Sequence, residues 1–319
     1  MNILFTNAGR RTYLIEYALA LNSSSNLKVS VFACDTSGLT ASMLVSSDVR
    51  TFITPHVSEN PEHYVSVLQA ECQRYEIDVI IPLMDFELLV LSKHKEKFKS
   101  IGTEVIVSAS ETIKVTLDKK LCWHYCRQHG LVMPDTWFSG EMPNRNKVPL
   151  VSKRTFGSGS ADLSLLLKSE HVPDAVPPDF LVQEMVKGQE YGIDVLNDLK
   201  GAFVHCCARR KVMMRCGETD KAEVVYGKQF NEIGRRISAV FQHVGNLDAD
   251  FILDDSGRAF FLDFNPRFGG GYPFTHAAGF DYLRTLIELT AGLKPQLPAR
   301  GKKVVGAKGV RLFVTEEGE

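Results

Sequence analysis

The order of apolar runs in the first part of the chain is the feature that most constrains its fold. Short apolar runs at residues 3–5, 29–33 and 79–81 alternate with longer helical patterns at residues 13–21, 64–75 and 86–98. Strands that alternate with helices in this way form a parallel, doubly wound sheet. Such sheets bind ligands at the carboxyl ends of their strands, so the loops after these runs are the first candidates for function.

The loop after the first run contains Gly9, Arg10 and Arg11. It lacks the spaced glycines of a dinucleotide fingerprint, which argues against a nicotinamide cofactor and a Rossmann-type oxidoreductase. Its amides and arginines could hold an anion, and a plain turn with solvated arginines explains it equally well. Three acids also follow predicted strands, where they would contact a substrate amine or cap a helix: Asp35, Asp85 and Glu87.

The balance of charges excludes several classes of partner. Lys and Arg total 37 against 38 Asp and Glu, so no global field draws the chain to nucleic acid or to an anionic membrane. No run approaches the roughly 20 apolar residues of a spanning helix. We therefore expect a cytoplasmic protein with small-molecule partners. The seven cysteines, an odd number, predict reduced thiols rather than a disulfide framework.

A group of cysteine and histidine residues leaves two interpretations open. Cys122 and Cys126 share one face of a predicted helix at i, i+4 spacing, as two zinc ligands would. However, His124 faces elsewhere on such a helix, and no second ligand pair stands at zinc-finger spacing. A buried cysteine usually behaves as a small core residue, so core packing is the alternative.

The pattern changes after residue 110. Residues 118–130 predict a helix closed by glycine. Segments rich in strand formers follow around residues 191–195, 202–207 and 251–264, and a helix is predicted at residues 282–291. We therefore expect a second domain to begin near residue 111.

A short apolar strand ending at Lys153 leads into a glycine and serine loop, residues 157–160. Amides and hydroxyls of such a loop can contact phosphate oxygens, and the lysine adds a compact positive charge. No Gly-Lys-Ser/Thr follows, so the loop is not a P-loop. A flexible surface loop is the alternative interpretation.

A second motif, residues 180–191, contains a strand, a glycine turn and two acids, Glu184 and Glu190. The backbone of a hinge-like strand can bind the edge of an adenine ring, and a carboxylate accepts hydrogen bonds from ribose hydroxyls. Glu190 fits the ribose role. A solvated strand edge would also explain these acids.

The most specific motif is a predicted hairpin that turns at residues 254–257. The turn places Asp250 on one strand beside Asp263 on the next, and Asn265 shares a face with Asp263. Two carboxylates and an amide form the oxygen ligand set that magnesium prefers when it also holds ATP phosphates. Arg267 would extend beyond the metal, where its charge stabilises a transferred phosphoryl group.

Taken in order, these motifs resemble the ATP-grasp superfamily, particularly its carbamoyl-phosphate synthase large-subunit-like members. The resemblance spans nearly the whole chain. It implies an α/β fold with a Rossmann-like pre-ATP-grasp domain at residues 1–110 and a two-lobed α+β ATP-grasp domain at residues 111–319. Within the latter, the lid would span about residues 116–180 and the catalytic part about residues 181–319.

The resemblance also implies roles for individual residues. Two lysines would hold the nucleotide phosphates, Lys119 and Lys153. The flap over the phosphates would be Gly157, Ser158, Gly159 and Ser160. The adenine hinge would be Gln183, Glu184, Met185 and Val186, with Glu190 on the ribose. The metal ligands would be Asp250, Asp263 and Asn265, and Arg267 would stabilise the acyl-phosphate step. A basic strand would face phosphate and substrate through Arg209, Arg210, Lys211 and Arg215.

Two departures from the family pattern stand out. Asp263 occupies a position where most members have Glu, which shortens the ligand by one methylene group. Arg154 follows Lys153 where many members have Pro, which alters the lid strand more than the chemistry. The chain has one ATP-grasp module and not the duplicated halves of a carbamoyl-phosphate synthase, so that activity is not expected.

The resulting prediction is a carboxylate–amine ligase that uses ATP with magnesium or manganese. It would form an acyl phosphate for attack by an amine, releasing ADP and phosphate. The lid would close over ATP and exclude water. The alternative is a weakened nucleotide-binding sensor or partner subunit, supported by the shortened Asp263. Related ligases are often dimers, so a homodimer is also considered.

Overall fold

The computed structural model describes residues 1–157, 163–215 and 217–314. The chain begins with a five-stranded parallel sheet in the order β3-β2-β1-β4-β5. Its strands are β1 Asn2–Thr6, β2 Ser30–Asp35, β3 Val49–Ile53, β4 Val79–Pro82 and β5 Glu104–Val105. This topology confirms the predicted doubly wound sheet.

Helices cover both faces of this sheet because its strands are apolar on both sides. The first three are α1 Thr12–Ser24, α2 Pro61–Arg74 and α3 Asp85–Lys99. Ile3 and Phe5 of β1 face one core, and Leu4 between them faces a second core on the other side. Two short helices then lead out of this region, α4 Ser110–Leu117 and α5 Lys119–Gln128.

A four-stranded antiparallel sheet follows, called here the small sheet, in the order β6-β9-β7-β8. Its strands are β6 Thr136–Phe138, β7 Leu150–Arg154, β8 Ser164–Leu166 and β9 Phe180–Glu184. Its buried core is small and consists of Leu150, Val172, Val176 and Val182. The lysine-bearing strand and the predicted hinge strand are therefore neighbours, since β7 pairs directly with β9.

A six-stranded sheet, called here the large sheet, has the order β14-β13-β10-β11-β12-β15. Its strands are β10 Gln189–Asn197, β11 Phe203–Arg215, β12 Glu218–Val225, β13 Gly245–Leu253, β14 Ala259–Asn265 and β15 Val305–Ala307. Helix α6, Lys228–Phe241, joins α5 in covering one face with a third apolar core. The opposite face carries polar side chains.

The last two helices, α7 Tyr272–Ala277 and α8 Tyr282–Thr290, return to the N-terminal sheet. Leu283, Leu286 and Ile287 of α8 belong to the same buried core as Ile3 and Phe5 of β1. The first and last parts of the chain thus share one core. Among the described residues, no helix has the length and apolar character needed to cross a membrane.

Candidate functional site

The predicted hairpin between β13 and β14 forms with the predicted register. Its turn is closed because the Asp254 amide donates to the Arg258 carbonyl at 3.1 Å and Gly257 donates to Asp254 at 2.9 Å. Asp250 lies directly opposite Asp263. Asn265 lies two residues beyond Asp263 on the same strand face and opposite Asp248. Oxygen donors from both strands therefore line one patch on the polar face of the large sheet.

Lys211 on β11 is the cation that stands beside this patch. Its ammonium lies 2.7 Å from an Asp250 carboxylate oxygen and 2.8 Å from a Glu190 carboxylate oxygen. Burial raises the pKa of Asp250 to about 6, although Lys211 opposes the shift. Burial therefore outweighs the neighbouring ammonium group in its effect on the pKa of this carboxyl group.

A buried ion-pair triad lies next to the patch on the same face. The guanidinium of Arg209 donates to Asp194 at 2.7 Å and also bonds Asp248. Thr275 of α7 donates to Asp194 at 2.6 Å. Arg209 is 1% exposed and Asp194 is fully buried. The triad fixes β10, β11 and β13 relative to one another through charges that water does not screen.

Arg267 connects the hairpin with the N-terminal sheet. Its Nε donates to one carboxylate oxygen of Asp85 at 3.0 Å and its Nη2 donates to the other at 2.8 Å. This bidentate geometry fixes the plane of the guanidinium group. Burial alone would lower the pKa of Arg267, but Asp85 raises it above its usual range. Arg267 therefore keeps its charge in a site closed to water.

The acids after the N-terminal strands have different roles. Some cap helices or turns, and one contacts a distant part of the chain. Glu87 is fully buried and accepts hydrogen bonds from the amides of Leu83 and Met84, both at 3.1 Å, at the start of α3. Asp35 accepts hydrogen bonds from the amides of Gly9 and Thr36. The capping interpretation thus describes Glu87, whereas Asp85 holds Arg267.

The two lysines of the predicted phosphate site lie between the small sheet and the hairpin. Lys119, at the start of α5, and Lys153, on β7, line a narrow cavity of about 10 Å³ together with Gln183 and Asp263. Burial lowers the pKa of Lys153, and Asp263 is the largest influence that raises it. The Lys119 ammonium donates to the Gly157 carbonyl at 2.6 Å. Both lysines are therefore held beside the carboxylate that the hairpin supplies.

The predicted hinge borders a second cavity, of about 550 Å³. Glu184, Met185 and Val186 line one side, and Phe260 with the hairpin turn lines the other. The Glu184 carboxylate lies 3.5 Å from the ammonium of Lys147. This volume is within the range of about 300–1,000 Å³ that is usual for small-molecule sites.

Two predicted basic residues are not brought to the patch. Arg210 points to the opposite face of β11 from Lys211 and bonds Glu223 at 2.7 Å. Arg215 is exposed at the end of β11, 3.2 Å from Asp220. Strand alternation explains the error for Arg210, because Arg209 and Lys211 take the inner face that Arg210 leaves. Three predicted flap residues, Ser158, Gly159 and Ser160, lie outside the described residues.

The donors on the hairpin fit a hard divalent cation. Asp250 and Asp263 supply carboxylate oxygens, and Asn265 supplies an amide oxygen. In the described part of the chain, no group of three or more His, Cys, Asp or Glu side chains is placed to hold a metal ion. The amide of Asn265 thus stays the predicted third ligand. Cys122 and Cys126, with sulfur atoms 3.9 Å apart, lie instead in the apolar core under α6.

Two family models match the chain in adjoining regions. The model described as "PylC-like, N-terminal domain" matches residues 3–106, and the model described as "ATP-grasp domain" matches residues 116–271. The second match contains the lysines, the hinge and the hairpin described above. No curated protein matches the chain in sequence.

Solved structures resemble the whole chain in fold. The biotin carboxylase domain of Hydrogenobacter thermophilus 2-oxoglutarate carboxylase, in complex with MgADP, ADP and bicarbonate, has a TM-score of 0.67 at 15% identity and covers 92% of this chain and 70% of its own. The N5-carboxyaminoimidazole ribonucleotide synthetase of Thermotoga maritima has a TM-score of 0.65 at 14% identity. The match covers 93% of this chain and 77% of the synthetase. The L-amino acid ligase of Bacillus licheniformis has a TM-score of 0.68 at 19% identity. The match covers 93% of this chain and 75% of the ligase.

Proposed function

Because the chain carries an ATP-grasp domain behind a PylC-like N-terminal domain, we propose that it is an ATP- and magnesium-dependent carboxylate–amine ligase. It activates a carboxylate as an acyl phosphate, which an amine then attacks to form a C–N bond. ATP-grasp domains are those of ATP-dependent ligases, and the structural neighbours include a complex with MgADP. The substrates and the type of bond formed are the proposed part.

The observation that carries this proposal is the meeting of two lysines, one on α5 and one on the small sheet, with paired acids on the large sheet. Asp250 and Asp263 are opposite each other on the hairpin, and Lys153 and Lys119 share a cavity with Asp263. Two cations and two anions in one cleft between two sheets can hold a metal nucleotide by both its phosphates and its metal. All four side chains are partly exposed, so a charged ligand can reach them.

Each end of the cleft contributes to nucleotide binding in this proposal. The backbone of Glu184, Met185 and Val186 binds the adenine edge beside the second cavity. The Glu190 carboxylate accepts a hydrogen bond from a ribose hydroxyl, and the contact with Lys211 fixes the orientation of this carboxylate. Lys119 and Lys153 bind phosphate oxygens, whose negative charge complements these two ammonium groups.

Asp250, Asp263 and Asn265 hold magnesium, which supplies positive charge to the phosphates when bound. Ionised Asp250 stays beside Lys211, so the lysine and the carboxylate bind the metal nucleotide as a unit. Asp263 is one methylene shorter than Glu, and it is brought near Lys153 by the pairing of β14 with β13. The shorter side chain is thus consistent with a functional ligand.

Arg267 orients and stabilises the reacting carboxylate. Its bidentate bond to Asp85 keeps the guanidinium plane fixed before substrate binds, so little reorganisation is required. Its burial excludes water, which would hydrolyse an acyl phosphate. Removing a preorganised donor of this kind costs on the order of 10²–10³ in kcat.

The test is nucleotide-dependent acyl-phosphate formation, trapped with hydroxylamine. The wild type, Lys153→Ala and Asp263→Ala are incubated with ATP, magnesium and a panel of carboxylic acids, and hydroxamate and ADP are measured. Lys228→Ala is the control, because Lys228 is 92% exposed on α6. We expect hydroxamate from the wild type and the control, with a loss of about 100-fold or more in the two site variants.

Thermal stability provides the second readout. Magnesium and ATP together should raise the Tm of the wild type, and each substitution should abolish the shift. A shift with no ADP release on any acid would contradict the ligase proposal and favour a nucleotide sensor. No shift with ATP and one with NAD would contradict both.

A further inference from the structure

A cavity of about 400 Å³ lies at the end of the large sheet that is remote from the nucleotide cleft, and it is called here the edge cavity. It is lined by residues 205–208, 225–227, 230–231, 280 and 299–301. Among the described residues, none lines both this cavity and either cavity of the cleft. Lys211 of the cleft follows His205 on β11 at a distance of roughly 20 Å, from the usual rise of a strand.

The edge cavity exists because β12 leaves the large sheet while β11 continues. Strand β10 pairs with β11 from Phe203 onward, whereas β12 pairs with it only from Ala208 onward. Gly227 turns the chain from β12 into α6 with φ at 155°, a conformation that residues with a side chain rarely adopt. Residues 205–207 of β11 therefore have a neighbouring strand on one side only.

The backbone of this open stretch offers hydrogen-bonding groups to the edge cavity. In an antiparallel ladder, consecutive residues direct their N–H and C=O groups to alternate sides. At least one of His205, Cys206 and Cys207 therefore presents both groups to the side that β12 leaves open. Within the described part of the chain, the backbone of these residues makes no hydrogen bond outside the strand ladders. A ligand with one acceptor and one donor would satisfy both groups.

Aromatic rings stand on both faces of the sheet at this edge. Cys206 and Cys207 are consecutive on β11 and so point to opposite faces. Phe230 belongs to the apolar core that contains Cys206, and Phe280 belongs to the core that contains Cys207. The ring of His205 packs on Phe280 with 4.2 Å between centroids. A flat ring in the plane of the sheet would thus contact Phe230 on one face and Phe280 with His205 on the other.

Contacts within the chain hold these aromatic walls in place before a ligand binds. The Cys206 thiol lies 3.6 Å from the Phe230 carbonyl, which ties the start of α6 to β11. A Cβ on Gly301 would lie 2.5 Å from Phe280 Cε2, so the glycine lets the C-terminal segment pack directly on this ring. Walls that are already ordered lower the entropic cost of binding.

The charge of the lining favours a neutral ligand. Burial lowers the pKa of His205 to about 4, so its imidazole is uncharged at pH 7. Its Nδ1 lies 2.7 Å from the Tyr282 hydroxyl. Of the described lining residues, Arg300 alone is charged at this pH, and it is exposed. An ion that entered between the aromatic walls would lose its hydration without gaining a buried partner of opposite charge.

We propose that the edge cavity is a second binding site, and that its ligand is a planar, uncharged nitrogen heterocycle of the nucleobase type. The ring lies between Phe230 and Phe280, and its edge pairs with the free N–H and C=O of β11. Nucleobases combine a flat aromatic face with donors and acceptors on one edge. An aliphatic ligand would fill the same volume and leave the strand edge unpaired. The site does not depend on the proposed ligase activity.

The first experiment measures binding with defined probes. The Tm of the full chain is recorded in saturating magnesium and ADP, with adenine, hypoxanthine, cytosine or uracil added at millimolar concentration. Indole is the control probe, because it is flat and has a donor but no acceptor nitrogen. We expect at least one base to raise the Tm further and indole to have no effect. No shift from any base, or an equal shift from indole, would overturn the proposal.

Two exposed alanines provide a matched pair of variants. Ala299 lines the edge cavity, whereas Ala291 follows α8 and lies outside it. Ala299→Trp places a large ring in the cavity and should abolish the shift with the base. Ala291→Trp adds the same ring elsewhere and should keep that shift. Equal shifts in the two variants would contradict binding in this cavity.

Phe230→Leu tests the aromatic wall itself. Leucine keeps an apolar side chain at this position and removes the flat ring, so the fold should be retained. The Kd of the base, measured by isothermal titration, should rise about fivefold or more because stacking is lost. A Kd within about twofold of the wild type would overturn the proposal.

The same variants separate this inference from the ligase proposal. None of the three substituted residues lines the nucleotide cleft, so each variant should keep the Tm shift with magnesium and ADP. If the ligase proposal fails, that shift is absent, and the base should still raise the Tm of the wild type but not of Ala299→Trp. A base that competes with ADP and ignores Ala299→Trp would be bound in the cleft, which would overturn the second site.

Discussion

The two sheets that enclose the cleft are built in opposite ways. Among the described residues, one face of the small sheet packs on a cluster of four buried residues, and Leu163, Leu165 and Leu167, in and beside its edge strand, are exposed. The large sheet has an extensive apolar core on one face and buries Arg209, Asp194 and Asp248 on the other. The difference indicates that the large sheet holds the reacting groups in place, while the small sheet is the part that can adjust to a ligand.

The largest expected effect is on the large sheet. Arg209→Met leaves Asp194 and Asp248 buried without their cation, so we expect a loss of about 3–5 kcal/mol in the free energy of unfolding. Urea denaturation measures it. Arg210→Met is the control, since Arg210 is the next residue of the same strand and pairs with Glu223 in a more exposed position, so we expect a much smaller loss. Equal losses in the two variants would remove the distinction between the faces of β11.

A change of pH should weaken the large sheet before the small one. Burial lowers the pKa of His243 to about 4, below the unfolded value of about 6.5. The neutral form is therefore favoured in the fold, and its stabilisation is complete above pH 6.5 and lost as the pH falls toward 4. Between pH 7 and pH 5 we expect a loss of about 2 kcal/mol from this residue.

The matched variant for this effect is His243→Gln, which does not titrate. It should show a smaller fall in the free energy of unfolding over the same pH range, even if it is less stable at pH 7. Hydrogen exchange at pH 5 should show faster opening around β10, which contacts His243 through Val195 and Asn197, and around α6, whose Ser238 donates to Asn197. An unchanged pH dependence in the variant would contradict the prediction.

A third prediction concerns metal nucleotide binding. The pKa of Asp250 is about 6 because the site is buried, and a metal binds its ionised form. Affinity for magnesium and ATP should therefore rise as the pH rises through about 6, by up to tenfold per pH unit below that value. Isothermal titration between pH 5 and pH 8 measures this dependence. Affinity that is constant across this range would argue against Asp250 as a ligand.

The smallest expected effect is on the small sheet. Leu165→Ser removes an apolar side chain that is 51% exposed on β8, so the free energy of unfolding should change by no more than about 0.5 kcal/mol. Val182→Ala in the core of the same sheet should cost about 1–3 kcal/mol. A large loss from Leu165→Ser would show that the edge strand is better packed than its exposure indicates.

Local patterns in the sequence were sufficient to predict most elements. The alternation of runs predicted the parallel sheet, and the glycine turn predicted the register that pairs Asp250 with Asp263. Both follow from interactions between residues close in the chain. The face of each β11 side chain was not predicted, because alternation gives the period and not which residues point inward. Arg210 was predicted to face the site together with Lys211, whereas the structure places only Lys211 of these two on the inner face.

Contacts between distant segments were beyond prediction. The pair of Asp85 and Arg267 joins residues 182 positions apart. Either residue alone is equally consistent with a solvated side chain, and only the packing of α7 and α8 on the N-terminal sheet brings them together. The Nε of Arg11 has no hydrogen-bond partner among the described residues, and this too arises only when distant segments pack together. No sequence signal marks an atom that lacks a partner.

The position of α8 has a consequence for how the protein is made. One face of the N-terminal sheet is completed by Leu283, Leu286 and Ile287, which the ribosome adds long after β5. At roughly 5–20 residues per second the delay is about 10–35 s. During that time the core that β1 shares with α1 lacks the side chains of α8, and its exposed apolar surface is available to a chaperone or to another nascent chain. A fragment ending after β5 should therefore aggregate, even though all five strands of its sheet are present.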